Sequence, residues 1–200
     1  MPDSFGHPLL TTIMIIKYPA VVLALVLIYC ATGYSQQSRE KTEPKTQLEA
    51  FGAETGAVII KGYSEIGNVI GEGKVEVDCR EFTNAKSGTK SYGIVIRVVD
   101  AERGSSSSFV DADEIPSLLA GIDYISKIQP SVTKLKNFEA TYTTKGDFAA
   151  TVYNRDDGRL SAVIKSGNFG SSKAFFQMPK LLEVRALILK AKVKLDEIQK

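Results

Sequence analysis

Histidine sets the first limit on the chemistry of this sequence, because its single histidine, His7, lies in an N-terminal segment with the features of a leader. Without that segment, no histidine is left for a Ser-His-Asp triad, a Cys–His dyad or a histidine-based zinc site. The usual proton shuttle near neutral pH is missing for the same reason. We therefore predict no catalytic residues, no cofactor and no metal site.

Four carboxylates are candidates for acid–base chemistry: Asp78, Glu81, Asp111 and Glu114. A hydrolase acting on glycans, for example, needs two such groups about 5–10 Å apart in a cleft. Asp111, Asp113 and Glu114 also precede a predicted helix, where acidic side chains cap the chain and suit the positive end of the helix dipole. We prefer capping to cation binding for this cluster, and a carboxylate-based hydrolase remains the third functional hypothesis.

Tyrosines next to basic residues recur along the predicted strands, and aromatic rings beside cations are what base stacking requires. The candidates for such a binding surface are Tyr92, Arg97, Tyr142, Lys145, Tyr153 and Arg155. The same pattern is ordinary at sheet edges. A formal net charge of +2 is too small to predict a polyanionic partner by itself.

Two further motifs give weaker signals. Gly67–Lys74 approaches the spacing of a phosphate-binding loop, but Val75 stands where Ser or Thr would bind magnesium, and the predicted context is strand–turn–strand. Cys79 shares a strand face with Val75, which predicts a buried and unreactive thiol. A reactive or intermolecular thiol is the alternative.

The N-terminus has the pattern of a secretory signal peptide over residues 1–35. Lys17 precedes the apolar run Ala20–Tyr29, and small residues follow up to Ser35. We predict cleavage between Ser35 and Gln36 and export of a bacterial protein to the periplasm or beyond. An uncleaved membrane anchor over Ile13–Thr32 is the alternative, and Met14 is a possible true start.

A polar stretch at 36–56 predicts a flexible lead-in, with a possible helical turn near Gln47–Phe51. Residues 57–130 then show four strand patterns and a helix. Alternation is clearest from Tyr92 to Val98. The helix pattern covers Asp113–Ile128, with Asp113 as the predicted N-cap. This is a ββββα unit.

Residues 131–200 repeat the order of four strands and a helix, so we predict an α+β fold with antiparallel sheets, built as two tandem ββββα units in one compact domain. The alternative is a meander whose halves look alike because hairpins look alike. The last helix begins at Pro179 and carries apolar residues at spacings of three and four. We predict that this stripe covers the sheets or joins two copies of the chain. Its residues are Leu181, Val184, Ile188, Ala191, Leu195 and Ile198.

Tandem units of four strands and a helix resemble the Whirly and Pur-type proteins, which bind single-stranded nucleic acids. The resemblance is one of inferred topology over residues 57–198. No family motif is present, so no functional residue can be transferred. The export signal and the absence of tryptophan argue against nucleic acid. We predict an exported binding or structural protein without enzymatic activity, with single-strand nucleic-acid or polyanion binding through a sheet face as the alternative.

Overall fold

Two four-stranded antiparallel sheets dominate the structure, a computed structural model that describes residues 43–167 and 171–200. The predicted α+β class with antiparallel sheets and a long C-terminal helix is confirmed. The predicted signal peptide, its cleavage site and the alternative anchor lie outside the described residues. None of the described helices combines the length and the apolar character needed to span a membrane.

The first sheet has the strand order β1-β2-β3-β4. Its strands are β1 (Ile59–Gly71), β2 (Gly73–Asn84), β3 (Lys90–Asp100) and β4 (Gly104–Asp111). Val75, Val77 and Cys79 of β2 lie opposite Val98, Ile96 and Ile94 of β3. All six are buried. Because side chains alternate along a strand, this register places one apolar face of the sheet in the core.

A short helix precedes the first sheet, α1 (Gln47–Gly52). It lies within the predicted lead-in, at the position where a helical turn near Gln47–Phe51 was predicted as possible, and the structure confirms that turn. Thr46 caps the helix, and its hydroxyl accepts a hydrogen bond from the Glu49 N–H at 3.1 Å. Leu48 is fully buried. One buried leucine and the Thr46 cap therefore order a segment that has no apolar period.

The second helix, α2, covers Ile115–Ser126. Glu114 occupies the N-cap position and Asp113 is exposed, so the prediction of Asp113 as the N-cap was wrong. Pro116 lies in the first turn, where its missing N–H costs no hydrogen bond. One face of α2 is buried through Ile115, Leu118, Leu119, Ile122 and Ile125. A short 3-10 turn, Pro130–Val132, follows.

The second sheet has the order β5-β6-β7-β8. Its strands are β5 (Glu139–Thr143), β6 (Ala149–Asn154), β7 (Leu160–Ser166) and β8 (Ser172–Gln177). Ala150, Val152, Ala162, Ile164, Ala174 and Phe176 make its buried face. Helix α3 (Met178–Ile198) begins directly after β8. The chain thus repeats the predicted order of four strands and a helix.

Helix α3 packs its inner stripe against the chain's own core. We define the inner stripe as Leu181, Val184, Ile188, Ala191 and Leu195, and each of these residues is at most 1% exposed. They share one apolar cluster with both sheets and α2. The structure therefore corrects the prediction that Leu181, Val184, Ile188 and Leu195 join two copies of the chain. Ile198, the last residue of that prediction, is partly exposed.

Serine hydroxyls connect β4 to the second sheet. The Ser106 hydroxyl donates to the Ser166 carbonyl at 2.6 Å, and the Ser108 and Ser166 hydroxyls lie 2.8 Å apart. The Ser172 N–H donates to the Ser106 hydroxyl at 2.9 Å. Buried hydroxyls need such partners. The serines of β4 are therefore part of the junction between the sheets.

Candidate functional site: a groove on the second sheet

A groove of about 1310 Å³ lies over the face of the second sheet that points away from the core. Three elements border it: the β1–β2 hairpin tip, the β6–β7 turn and the start of α3. Its lining includes Ile70, Glu72, Phe138, Glu139, Tyr153, Arg155, Asp156, Asp157, Ser161, Phe175, Gln177 and Lys180.

The floor of the groove is one row of residues across all four strands. Glu139 pairs with Tyr153, Tyr153 with Ser161, and Ser161 with Gln177. The neighbours Val152, Ala162 and Phe176 are buried in the core, so alternation places this row on the opposite face. Ser161 is small and shielded between larger neighbours, which makes the row concave.

The tip of the β1–β2 hairpin forms one wall. Glu72 and Phe175 exchange two backbone hydrogen bonds, of 3.0 and 2.8 Å, so the tip is fastened to the edge strand β8. A Cβ atom on Gly71 would lie 2.6 Å from the Phe175 carbonyl oxygen, so only glycine allows this approach. Ile70 and Phe175 remain 65% and 40% exposed. The wall thus presents apolar surface to solvent.

The β6–β7 turn forms the other end. The Arg155 N–H donates to the Arg159 carbonyl at 2.8 Å, and Gly158 has a positive φ of 80°. The Arg159 guanidinium donates to Asp157 at 2.7 Å, and this hydrogen bond lowers the pKa of the Asp157 carboxyl. The Gly158 N–H in turn donates to the Arg155 carbonyl at 2.9 Å, which closes the hairpin turn between β6 and β7.

Asn154 fastens the chain before β5 to the same end of the groove. Its side-chain oxygen accepts a hydrogen bond from the Phe138 N–H at 2.7 Å, and its amide donates to the Lys136 carbonyl at 2.9 Å. The aromatic residue Phe138 is held at the rim by this bridge.

The groove carries more acidic than basic side chains. Arg155 and Lys180 are its basic residues, whereas four carboxylates line it: Glu72, Glu139, Asp156 and Asp157. Lys180 is paired with Glu183 at 2.9 Å and Asp157 with Arg159 at 2.7 Å, which leaves Glu72, Glu139 and Asp156 against Arg155. The local charge therefore favours a neutral or cationic ligand over a polyanion.

The structure brings only two of the six predicted binding residues together, Tyr153 and Arg155. Tyr142 lies on the core face against Gly121 of α2, and burial raises the pKa of its hydroxyl. The backbone N–H of Lys145 donates to Glu114 at 2.9 Å in the β5–β6 turn. These last two residues therefore do not belong to the groove.

Tyr92 and Arg97 both belong to β3, away from the groove. Tyr92 lines a smaller depression beside Gln199, and Arg97 lies 3.8 Å from Glu76 on the outer face of the first sheet. The sequence analysis missed Phe175, although the alternation Ala174-Phe175-Phe176 carried the signal. With Phe176 in the core, Phe175 must point outward.

The four candidate carboxylates of the hydrolase hypothesis each have a structural partner. Asp78 pairs with Arg80 at 2.8 Å and Glu81 with Lys90 at 3.0 Å, on opposite faces of β2. The Gln47 and Leu48 N–H groups both donate to Asp111. Glu114 accepts the Lys145 N–H described above, and none of the four lines the groove. Within residues 43–167 and 171–200, no cluster of three His, Cys, Asp or Glu side chains could hold a metal ion.

Cys79 is buried, as its strand face predicted. Burial raises the pKa of its thiol to about 11, and its Sγ donates to the Ala191 carbonyl at 3.3 Å. A thiol with so high a pKa is almost fully protonated near neutral pH, and the thiolate is the reactive form. Burial between β2 and α3 therefore keeps this cysteine unreactive.

Comparison with known proteins found neither a protein-family model nor a curated protein that matches this chain.

Proposed function

We propose that this is an exported protein without enzymatic activity, and that its groove binds an extended segment of another polypeptide, neutral or basic in charge. The observation that carries the proposal is the concave row Glu139–Tyr153–Ser161–Gln177, flanked by the exposed side chains of Ile70 and Phe175. The export part rests on the leader pattern of the sequence alone.

The dimensions of the groove suit a chain better than a compact metabolite. Small-molecule pockets are usually about 300–1,000 Å³ and enclose their ligand. This groove measures about 1310 Å³, and its apolar wall is open to solvent. An extended polypeptide can lie along such a surface and still leave one side in water.

The side chains that line the groove are also of the types that bind polypeptides. Tyrosine and phenylalanine are enriched at the centres of protein interfaces. Amide groups such as that of Gln177 can both donate to and accept from a peptide backbone. The excess of carboxylates favours lysine or arginine in the bound segment, and it works against the phosphates of a nucleic acid.

A phage-displayed random peptide library provides the test, with the purified protein as bait. We expect selection of peptides with basic and apolar residues. Tyr153→Ala or Phe175→Ala should weaken binding of a selected peptide by about tenfold or more, as at other aromatic interface centres. Tyr124→Ala is the matched control, because Tyr124 is 70% exposed on α2, outside the groove. It should bind like the wild type.

Two results would overturn the peptide proposal: no enrichment, or an equal loss in the Tyr124→Ala control. Retention on heparin with salt-sensitive oligonucleotide binding would instead support the alternative of a nucleic-acid or polyanion binding protein. A catalytic turnover that disappears in Asp113→Ala or Asp156→Ala would overturn the assignment as a non-enzyme.

A further inference from the structure

Helix α3 carries a second apolar stripe on its exposed side. We define the outer stripe as Leu182, Ala186, Leu189 and Val193. Leu182, Leu189 and Val193 are 48%, 41% and 51% exposed, and Ala186 is exposed as well. None of the four lines the groove. A helix on the surface of a single domain normally presents polar residues on this side, so the outer stripe needs a separate explanation.

The spacing of the outer stripe is that of a coiled coil. Its residues follow at steps of four, three and four, and they lie across the helix from the inner stripe. The stripe is about 17 Å long, from the eleven steps of about 1.5 Å between Leu182 and Val193. The steps are the same in either direction along the helix. Two copies can therefore pair antiparallel, with Leu182 opposite Val193 and Ala186 opposite Leu189 of the second copy.

The charges beside the outer stripe select this antiparallel arrangement. Glu183 and Lys190 occupy the same flank, and antiparallel pairing places Glu183 of each copy opposite Lys190 of the other. Lys190 has no carboxylate partner among the described residues and makes one long hydrogen bond, 3.5 Å, to the Ile66 carbonyl. Its charge is thus available to a second copy.

The other flank carries Arg185 and Lys192, which would face each other in the same arrangement. Both cations are already paired within the chain: Arg185 with Asp123 at 2.6 Å, and Lys192 with Asp196 at 2.6 Å. Parallel pairing would instead bring Arg185 opposite the unpaired Lys190. Glu183 already pairs with Lys180 of its own chain at 2.9 Å, so in the antiparallel arrangement Lys190 of the second copy joins an existing ion pair. Each Lys190 then gains a carboxylate partner and stays away from Arg185 of the other copy.

We propose that two copies of this chain form a two-fold symmetric dimer through antiparallel pairing of their α3 outer stripes. The inference does not depend on the function of the groove. Three large side chains per copy cover less than the roughly 800 Å² per partner of a standard interface. We therefore expect a weak dimer, whose population rises with protein concentration in the micromolar range.

Sedimentation equilibrium of the purified protein over a wide concentration range tests the proposal. We expect a reversible monomer–dimer equilibrium for the wild type. Leu189→Glu should raise the dissociation constant by about tenfold or more, since it buries two charges at the centre of the pair. Leu135→Glu is the matched control, because Leu135 is an exposed leucine in the loop before β5. It should leave the equilibrium unchanged.

A charge exchange tests the geometry. Glu183→Lys and Lys190→Glu should each weaken the dimer, whereas the double variant should restore it, because the ion pairs re-form with reversed signs. All variants change exposed positions, so we expect them to leave the fold intact. Melting temperatures equal to that of the wild type will check this. A monomer at every concentration, a dimer insensitive to Leu189→Glu, or a double variant as weak as the single ones would overturn the proposal.

Discussion

Asp111 holds helix α1 on the first sheet through two hydrogen bonds from backbone N–H groups. The Gln47 and Leu48 N–H groups each lie 2.9 Å from a carboxylate oxygen of Asp111, which is 3% exposed. A carboxylate at the start of a helix satisfies N–H groups that have no partner within the helix and suits the positive end of its dipole. Asp111 thus stabilises a helix that lies more than sixty residues earlier in the chain.

We expect Asp111→Ala to lower the free energy of unfolding by about 2 kcal/mol, because it removes two charge-assisted hydrogen bonds and leaves two N–H groups without partners. The midpoint of urea denaturation measures the effect. Asp113→Ala is the control, because Asp113 is exposed and makes no cap. Equal midpoints for the two variants would show that Asp111 does not anchor α1.

Strand alternation contained the facing of individual site residues, although the choice of Tyr142 as a surface candidate did not follow it. Tyr142 continues the apolar alternation of Phe138 and Ala140, and the structure places it on the core face. Tyr153 is out of phase with Val152, and it lies in the groove. What alternation could not show is which exposed rows share a surface. Tyr153 and Arg155 meet Ile70 and Glu72 only because the hairpin tip folds over β8, a contact between residues about a hundred positions apart.

At the scale of elements, helix α3 has two apolar stripes, and among the described residues only the inner stripe packs into the core. Periodicity predicted the inner stripe but not its partner, because the same spacing suits a sheet or a second helix. The short helix α1 was predicted only as a possible helical turn near Gln47–Phe51, and its bounds came from the structure. It buries a single apolar residue, Leu48, and its second capping group comes from Asp111 in a distant strand.

We expect the fold to depend on α3, and a chain that ends at Gln177 tests this. The inner stripe buries five apolar side chains almost completely. At roughly 1.5–3 kcal/mol each, their loss is comparable to the whole stability of a domain, about 5–15 kcal/mol. The truncated chain should be unfolded by circular dichroism, whereas a chain that ends at Asp196 keeps the inner stripe and should melt cooperatively. If the chain that ends at Gln177 stays soluble and monomeric and melts cooperatively on heating, the prediction is wrong.

At the scale of the whole molecule, the two sheets and both long helices share one apolar core. The sequence predicted the repeated order of elements but not the junction. Ser106 and Ser166 are sixty residues apart, and no local pattern marks a serine as the partner of a distant carbonyl. The β1–β2 hairpin tip borders the groove on the outer face of the second sheet, so the groove depends on how the halves join rather than on either half alone.

If the chain is exported, its apolar core must stabilise the fold without disulfides, because removal of residues 1–35 would leave Cys79 as its one cysteine. We expect a bacterial host that expresses the full chain to deliver a periplasmic product beginning at Gln36, identified by its intact mass. Bulky side chains at the predicted −3 and −1 positions block cleavage of such signals. Gly33→Leu combined with Ser35→Leu should therefore keep the product uncleaved and membrane-bound. Because a single cysteine cannot form an internal disulfide, the melting temperature of the wild-type product should not change when a reductant is added. A full-length wild-type chain in the membrane fraction would favour the anchor over cleavage, and one in the cytoplasm would contradict export.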